Sequence, residues 1–135
     1  MTSIDPAYLR PRLLLRPEES HKGDFGHLLI VAGCQTMPGA AVLATGAAVR
    51  SGCGLVTLHS TSRALQAVVG RFPSAMLSED PGGAFSHVPV PMDRYTAVAV
   101  GPGLGRRPET EEALLMLLKV ARERSVPMAL DAEAL

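Results

Sequence analysis

Short apolar runs alternate along the chain with longer segments of helical spacing. Four runs predict strands, at residues 27–32, 55–58, 97–100 and 127–130. The first is almost continuously Leu, Ile, Val and Ala, which is typical of a parallel strand buried on both faces. A weaker run at 75–77 predicts a further short strand, and the Pro-, Gly- and Ser-rich residues after it, up to Met92, predict a loop.

Three segments between these strands have helical patterns, at 39–51, 60–70 and 108–124. The first has almost no polar side chain before Arg50, so we expect this helix to be buried on all sides. The third begins with acidic residues and ends with basic ones, which matches the helix dipole. One short helix is also expected at 7–10.

Strand and helix alternate as in right-handed βαβ units, which predicts an α/β fold with a parallel sheet and helices on both faces. Residues 1–20 contain three prolines and predict an irregular lead-in, with the folded part at 21–135. Leu135 lies a few residues past the last predicted strand, and no helix follows to cover that edge. We therefore expect a domain truncated after about half its length.

The composition excludes several classes of protein. The 135 residues are 47% hydrophobic and 19% charged, with a formal net charge of zero, which is typical of one globular unit without a nucleic-acid or membrane-surface footprint. No apolar run resembles a signal peptide or reaches the roughly 20 residues that span a bilayer. We expect a cytoplasmic protein with no nucleic-acid partner and no membrane partner. Cys34 and Cys53 are expected as two small buried side chains, with a disulfide or a reactive thiol as alternatives.

A glycine-rich loop at Gly101–Gly105 joins a predicted strand to a predicted helix. Free backbone amides and the helix dipole can hold a phosphate at such a place, and the alternative is a tight turn without a ligand. The spacing G-x-G-x-G differs from the dinucleotide-binding G-x-G-x-x-G, and no Gly-Lys-Ser/Thr follows any strand. The loop therefore favours a ligand site outside the dehydrogenase and P-loop classes.

Polar residues at two other places are candidates for ligand contact. Asp131 follows the last strand, where it can bind a ribose, a metal or a substrate hydroxyl, or cap the turn through its own backbone. His21, Lys22 and Gly23 belong to a charged, glycine-broken segment before the first strand and are either anion contacts or solvated loop residues. The remaining three histidines lack the spacing of metal ligands, so no metal site is predicted.

Together the motifs resemble the NAD(P)H-hydrate dehydratase family, a ribokinase-like group related to carbohydrate kinases. The motifs that carry the resemblance are HKGDFGH at 21–27, MPGAA at 37–41, LATGAA at 43–48, RSGCGLVT at 50–57, GPGLG at 101–105 and LDAEAL at 130–135. Their order and number make the resemblance specific. It implies a ribokinase-like three-layer architecture, with residues 21–135 as the N-terminal half of the domain.

The resemblance also implies an activity. Enzymes of this family use ADP or ATP, with Mg²⁺ as a further expected ion, to dehydrate the S epimer of hydrated NADH or NADPH and so restore the normal cofactor. The nucleotide phosphorylates the hydroxyl of the hydrate, and phosphate then leaves. The expected partners are therefore the hydrated dinucleotide and an adenine nucleotide, and we also expect a homo-oligomer.

The site residues follow from the same resemblance. The hydrated dinucleotide is expected to lie against Ala40, Ala41, Gly103, Leu104, Gly105 and Asp131. No catalytic residue is expected in the chain, because the family's proposed base and most of its nucleotide site lie in later segments that have no counterpart up to Leu135. The isolated chain is therefore expected to be inactive.

Two residues depart from the family pattern, and two functions other than hydrate dehydration are also considered. Glu133 stands where the family usually has a second Asp, and Ser74 stands where a Glu commonly follows the proline. The alternative functions are a ribokinase-like kinase for a vitamin precursor or a sugar, since one fold hosts many activities, and a non-catalytic dinucleotide-binding module. The sequence leaves open the choice between ADP and ATP and the presence of a fused epimerase domain.

Overall fold

The protein is built on a five-stranded parallel sheet, described by a computed structural model that covers residues 3–13 and 15–135. The strands are β1 (His27–Val31), β2 (Leu55–Thr61), β3 (Met76–Asp80), β4 (Ala97–Val100) and β5 (Met128–Leu130). Their order across the sheet is β3-β2-β1-β4-β5, and every neighbouring pair is parallel. The predicted parallel α/β sheet is therefore confirmed.

Four helices accompany the sheet within the described residues. They are α1 (Pro6–Leu9), α2 (Pro38–Arg50), α3 (Ser62–Val69) and α4 (Pro108–Glu123). Short 3₁₀ turns lie at Arg10–Arg12, Lys22–Phe25, Met92–Arg94 and Ala132–Ala134. The lead-in therefore contains the expected short helix, while its residues 1, 2 and 14 lie outside the described part. None of these helices is long and apolar enough to cross a membrane.

Two apolar cores lie on opposite faces of the sheet. On one face, Ile30 and Leu58 pack against α2 and α3. On the other, Leu29 and Val31 pack with Val98 and Val100 against α4 and the loop before β4. Successive residues of β1 thus face opposite sides, as the pleat requires, and both sides are buried. This arrangement of helix, sheet and helix confirms the expected three-layer architecture.

Strand β3 extends further than the sequence predicts. Residues 78–80 belong to the Pro-, Gly- and Ser-rich stretch that predicts a loop, but they pair in register with His59, Ser60 and Thr61 of β2. Strand β2 is correspondingly longer than expected, so α3 starts at Ser62. The buried polar residues find partners across the two strands, which an apolar-run criterion does not detect.

Helix α2 is not buried on all sides, so that expectation is wrong. Ala41, Thr45 and Ala48 are buried on the face toward the sheet, whereas Leu43 is 77% exposed. The sheet and α3 cover only part of the helix circumference, and small apolar residues then remain on the open side. The two cysteines are both free, with Cys34 buried and Cys53 only half-buried.

Candidate functional site

Three neighbouring strands end at the same edge of the sheet and bring the predicted ligand segments together. Parallel strands place their carboxyl ends at one edge, and β1, β4 and β5 are adjacent there. Backbone hydrogen bonds tie the ends, since Gly101 N donates to Val31 O at 3.2 Å and Asp131 N donates to Val100 O at 3.1 Å. The turn after β1, the loop Gly101–Gly105 and Asp131 therefore lie together where the strands end, and we call this surface the carboxyl edge.

Gly103 is packed tightly between the first two of these segments. Its φ is +72°, and a Cβ atom there would lie 2.6 Å from the Cβ of Ala40 and 3.2 Å from the carbonyl oxygen of Met37. Such distances leave no room for a side chain, and the positive φ would strain one in any case. The loop after β4 can therefore lie directly against the start of α2.

Gly33, in the turn after β1, also allows two backbone segments to pack closely. Its amide donates to Pro102 O at 2.8 Å, and a Cβ there would lie 2.8 Å from the Cβ of Ala41. The small residues that the sequence places at 33, 40, 41 and 103 thus allow two backbone segments to approach each other. They fix the shape of the edge.

Not all of the predicted site residues are accessible at this edge. Ala40 and Gly105 are half-buried and Asp131 is exposed, so these three can meet a ligand. Ala41 is 0% exposed and Leu104 is 1% exposed, because their side chains belong to the two cores. Their side chains therefore support the edge from behind, and direct contact of Ala41 and Leu104 with the ligand stays a prediction.

The glycine-rich loop offers fewer free amides than a phosphate cradle needs. The amides of Gly101 and Leu104 donate to backbone carbonyls, and the amide of Gly103 donates to the Glu133 carboxylate at 3.0 Å. Pro102 has no amide hydrogen, which leaves Gly105 as the loop residue whose amide has no partner among the described residues. Any contact of Gly103 with a ligand would have to be made by its carbonyl or Cα.

Asp131 caps the turn that follows it through its backbone, since its carbonyl oxygen accepts the Ala134 amide at 3.0 Å. It occupies the N-cap position of the Ala132–Ala134 turn, but its side chain makes no capping hydrogen bond there. Asp131 therefore has the alternative role that the sequence left open, a cap made through its own backbone. Its exposed carboxylate remains the predicted polar contact for a ligand hydroxyl.

His21, Lys22 and Gly23 lie at the opposite edge of the sheet. They precede the amino end of β1, where the carbonyl of Lys22 packs against Gly54 just before β2. The His21 side chain is exposed and lies 3.4 Å from the carboxylate of Asp24, whose other oxygen accepts the His21 amide at 2.9 Å. Anion contact at these residues stays a prediction, but one separate from the carboxyl edge.

A cavity of about 430 Å³ opens beside the glycine-rich loop and the first turn of α4. Its lining carries both signs of charge, from Arg106 and Arg107 and from Glu111 and Glu133. Gly105, with its unpartnered amide, is also part of the wall. No group of three or more His, Cys, Asp or Glu side chains that could hold a metal ion is present within residues 3–13 and 15–135.

Sequence reasoning missed a buried polar cluster around Asp80, the last residue of β3. Asp80 as a whole is 2% exposed, and its carboxylate accepts hydrogen bonds from the amides of Gly82, Ser86 and His87 at 2.8 to 2.9 Å. The Ser86 hydroxyl donates to it at 2.6 Å. These hydrogen bonds outweigh desolvation and hold the pKa of Asp80 below its ordinary value. The sequence Asp-Pro-Gly-Gly is an Asx-turn signal that could have indicated the cluster.

His59 completes this cluster in a defined protonation state. Burial lowers the pKa of His59, although the nearby Asp80 carboxylate opposes this effect, so the ring is neutral near pH 7. Nε2 lies 3.2 Å from the ionised Asp80, which can only accept, so Nε2 carries the proton. Nδ1 then accepts a hydrogen bond from the Ser78 hydroxyl at 2.9 Å.

The Asp80 cluster supports the carboxyl edge because its hydrogen bonds hold the loop at residues 81–87. Gly83 O in this loop accepts the Gln35 amide of the turn after β1 at 3.2 Å. A Cβ at Gly83 would lie 3.1 Å from the Arg107 guanidinium, so the loop also packs against the residue before α4. Asp80 and His59 therefore support the candidate site without being exposed to it.

The fold and this edge define a ribokinase-like α/β protein. A ribokinase-like superfamily protein from Enterococcus faecalis matches 78% of the chain with a TM-score of 0.65 at 24% identity, a likeness in fold. Residues 28–135 match the NAD(P)H-hydrate dehydratase family, and the chain belongs to it. The resemblance found in the sequence is thus confirmed.

Two relatives make the comparison specific. An ADP-dependent (S)-NAD(P)H-hydrate dehydratase of Listeria monocytogenes is 33% identical over 123 residues, which cover 91% of this chain and 44% of the relative. The crystal structure of an ADP/ATP-dependent NAD(P)H-hydrate dehydratase from Bacillus subtilis, co-crystallised with ATP and Mg²⁺, has a TM-score of 0.79 at 34% identity. It matches 96% of this chain and 45% of its own length. The chain therefore spans somewhat less than half the length of these relatives.

Proposed function

We propose that this chain takes part in the ADP- or ATP-dependent dehydration of the S epimer of hydrated NADH or NADPH. The observation that carries the proposal is the carboxyl edge, where the turn after β1, the Gly101–Gly105 loop and Asp131 converge in a member of the hydrate dehydratase family. The relatives' dependence on ADP or ATP supports the same choice of co-substrate.

The contribution of this chain is a surface for the hydrated dinucleotide. Ala40 presents a small side chain, Gly105 a free amide and Asp131 an exposed carboxylate, all at adjoining strand ends. Small residues let a flat ring approach the backbone, and a carboxylate can accept a hydrogen bond from a ribose or hydrate hydroxyl. The cavity beside Gly105 gives room for the part of the ligand that extends toward α4.

The reaction balances with one nucleotide per hydrate. The terminal phosphoryl group goes to the hydroxyl of the hydrate, and departure of phosphate then regenerates the double bond of NADH, with release of one proton. Phosphate is a far better leaving group than hydroxide, which explains the need for a nucleotide. The proposal assigns neither a catalytic base nor Mg²⁺ ligands to the described residues.

The proposal also covers the cellular location, the oligomeric state and the partners of the enzyme. We infer a cytoplasmic homo-oligomer without nucleic-acid or membrane partners. The formal net charge of zero supports the last two points, since it gives no electrostatic footprint for nucleic acid or an anionic membrane. Light scattering coupled to size exclusion would measure the oligomeric state directly. A monomer at all concentrations would contradict the homo-oligomer.

The activity is tested through the near-ultraviolet absorbance of the reduced nicotinamide, which hydration abolishes. Hydrated NADH is incubated with ADP or ATP and with this chain, alone or fused to the part of the Bacillus subtilis relative that the chain does not match. We expect recovery of absorbance with the fusion and none with the chain alone. The fusion carrying Asp131→Asn should restore the absorbance at a reduced rate. The fusion carrying Asp93→Asn, a change at another exposed aspartate, is the matched control.

Two outcomes would replace the proposal. Phosphorylation of a sugar or a hydroxymethylpyrimidine by the fusion, with no action on hydrated NADH, would identify a small-molecule kinase. Binding of hydrated NADH without turnover by the fusion would identify a non-catalytic dinucleotide-binding module. Turnover by the chain alone would contradict the absence of a catalytic base in it.

A further inference from the structure

One side chain joins the segment after β5 to the loop after β4. The Glu133 Oε2 atom accepts a hydrogen bond from the Gly103 amide at 3.0 Å, in a partly buried position. Glu133 lies in the Ala132–Ala134 turn, whose first residue has a φ of +48°. The turn therefore directs the glutamate back toward the neighbouring strand end.

The amide that Glu133 holds belongs to the most crowded point of the edge. Gly103 is wedged against Ala40 and the carbonyl of Met37, so a shift of Gly103 must move the start of α2 or open a gap beside it. The loop's other amide hydrogen bonds, from Gly101 and Leu104, go to backbone carbonyls and are independent of side-chain identity. Among the described residues, Glu133 is thus the side chain that sets the position of this loop.

The charge of Glu133 also changes what the loop can bind. A carboxylate on the Gly103 amide occupies the place that a phosphate oxygen would need, and it repels an anion nearby. The amide of Gly105, two residues later, faces no such competition in the described structure. The Gly103 amide is thus not free for an anionic part of a ligand, whose available partners are the Gly105 amide and the arginines in the cavity that Glu111 and Glu133 also line.

We propose that Glu133 is a positioning residue of the hydrate site: its hydrogen bond to the buried Gly103 holds the loop against Ala40 and so fixes the position of Ala40 at the edge. This inference rests on the proposed function for the identity of the ligand, but the hydrogen bond itself can be tested without it. Glu133 is not a catalytic residue, since it acts through the loop and not on the ligand.

Amide hydrogen exchange of the 15N-labelled chain tests the hydrogen bond. In Glu133→Ala the Gly103 amide should exchange about tenfold faster, because it loses its acceptor. In Glu133→Gln the side-chain amide oxygen keeps the same reach, so exchange should stay within about threefold of the original rate. The exposed Glu112→Ala serves as the matched control and should leave Gly103 unchanged.

Calorimetric titration with the S epimer of hydrated NADH tests the consequence for binding. Glu133→Ala should weaken binding of the hydrate about fivefold or more, whereas Glu133→Gln should bind it as tightly as the original chain. A general loss of stability would not produce this difference between the two variants. Unchanged Gly103 exchange in Glu133→Ala, or tighter binding by that variant, would overturn the positioning role. If the original chain does not bind the hydrate while the exchange result holds, the hydrogen bond stands and the proposed ligand fails.

Discussion

At the scale of single residues, the site depends on glycines that bring two backbones into contact. Gly103 combines a φ of +72° with a place where a Cβ would lie 2.6 Å from that of Ala40. Both features act in the same direction, since the backbone conformation disfavours a side chain and the packing excludes one. The glycine-rich loop is therefore needed for close packing whether or not a phosphate ever binds to it.

Gly103→Ala should lower the free energy of unfolding by about 2–4 kcal/mol, through backbone strain and overpacking together. Gly39→Ala is the matched control, because a Cβ at Gly39 meets nothing within 4 Å and its φ is ordinary. This control lies in helix α2 and should be neutral or stabilising by up to about 1 kcal/mol. Urea denaturation followed by circular dichroism measures both values, and equal stabilities for the two variants would contradict the packing described here.

The sequence motifs place the predicted site residues in one neighbourhood, and which of them contact a ligand stays a prediction. Motif order places residues 40–41, 103–105 and 131 at strand ends, and the structure brings these ends together. Whether one of them faces the ligand depends on packing across strands, and that is why Ala41 and Leu104 proved to be core residues. The Glu133 contact was equally invisible, because it joins residues 30 positions apart.

At the scale of elements, the ends of β2 and β3 hold a buried polar cluster that supports the edge. His59 and Asp80 have side chains that are 3% and 0% exposed, and their hydrogen bonds organise the loop at 81–87. Buried polar groups are costly unless they are satisfied, so this loop and the two strands must form together.

This cluster predicts how stability depends on pH. The pKa of His59 is lowered in the folded protein, so the unfolded chain binds the proton more readily and stability falls as the pH drops below the ordinary value of 6.5. The lowered pKa of Asp80 has the same sign, since its contribution is lost only when the pH falls further, through its folded pKa. Both groups therefore make the protein less stable in acid.

Urea unfolding at a series of pH values measures this dependence. His59→Gln, which removes the buried imidazole, should lower the free energy of unfolding by about 1–3 kcal/mol at pH 8. It should also flatten the dependence of this free energy on pH between about pH 6.5 and 5. The exposed His21→Gln is the control and should keep the original slope. A slope that survives in His59→Gln would show that another group is responsible.

The apolar pattern predicted the elements better than their ends. Every predicted strand and helix exists, because buried parallel strands and amphipathic helices leave continuous or periodic apolar signals. The end of β3 was missed because Ser78, Glu79 and Asp80 carry no such signal and depend on pairing with β2. The open face of α2 was missed because small residues do not distinguish a buried side from an exposed one, as Leu43 shows.

At the scale of the whole molecule, the sheet separates two sets of residues that the sequence places close together. The segment at 21–26 and the turn at 33–39 are joined by β1 alone, yet they lie at opposite edges of the sheet. Ligand segments gather at the carboxyl edge, as expected of open parallel sheets. The other edge carries the exposed His21 and Lys22.

Strand β5 is the last strand on its side of the described sheet. It pairs with β4 only, and Leu130 is 38% exposed. A free parallel strand edge can pair with further strands, either from the same protein or from another copy.

The central claim is that the hydrated dinucleotide binds at the carboxyl edge formed by β1, β4 and β5. The most direct test is a titration of the 15N-labelled chain with the S epimer of hydrated NADH, followed by amide chemical shifts. We predict saturable shifts at Ala40, Gly105 and Asp131 and none at His21, Lys22 or Gly23. Saturable shifts confined to residues 21–23, or no saturable shift at the carboxyl edge, would contradict the account.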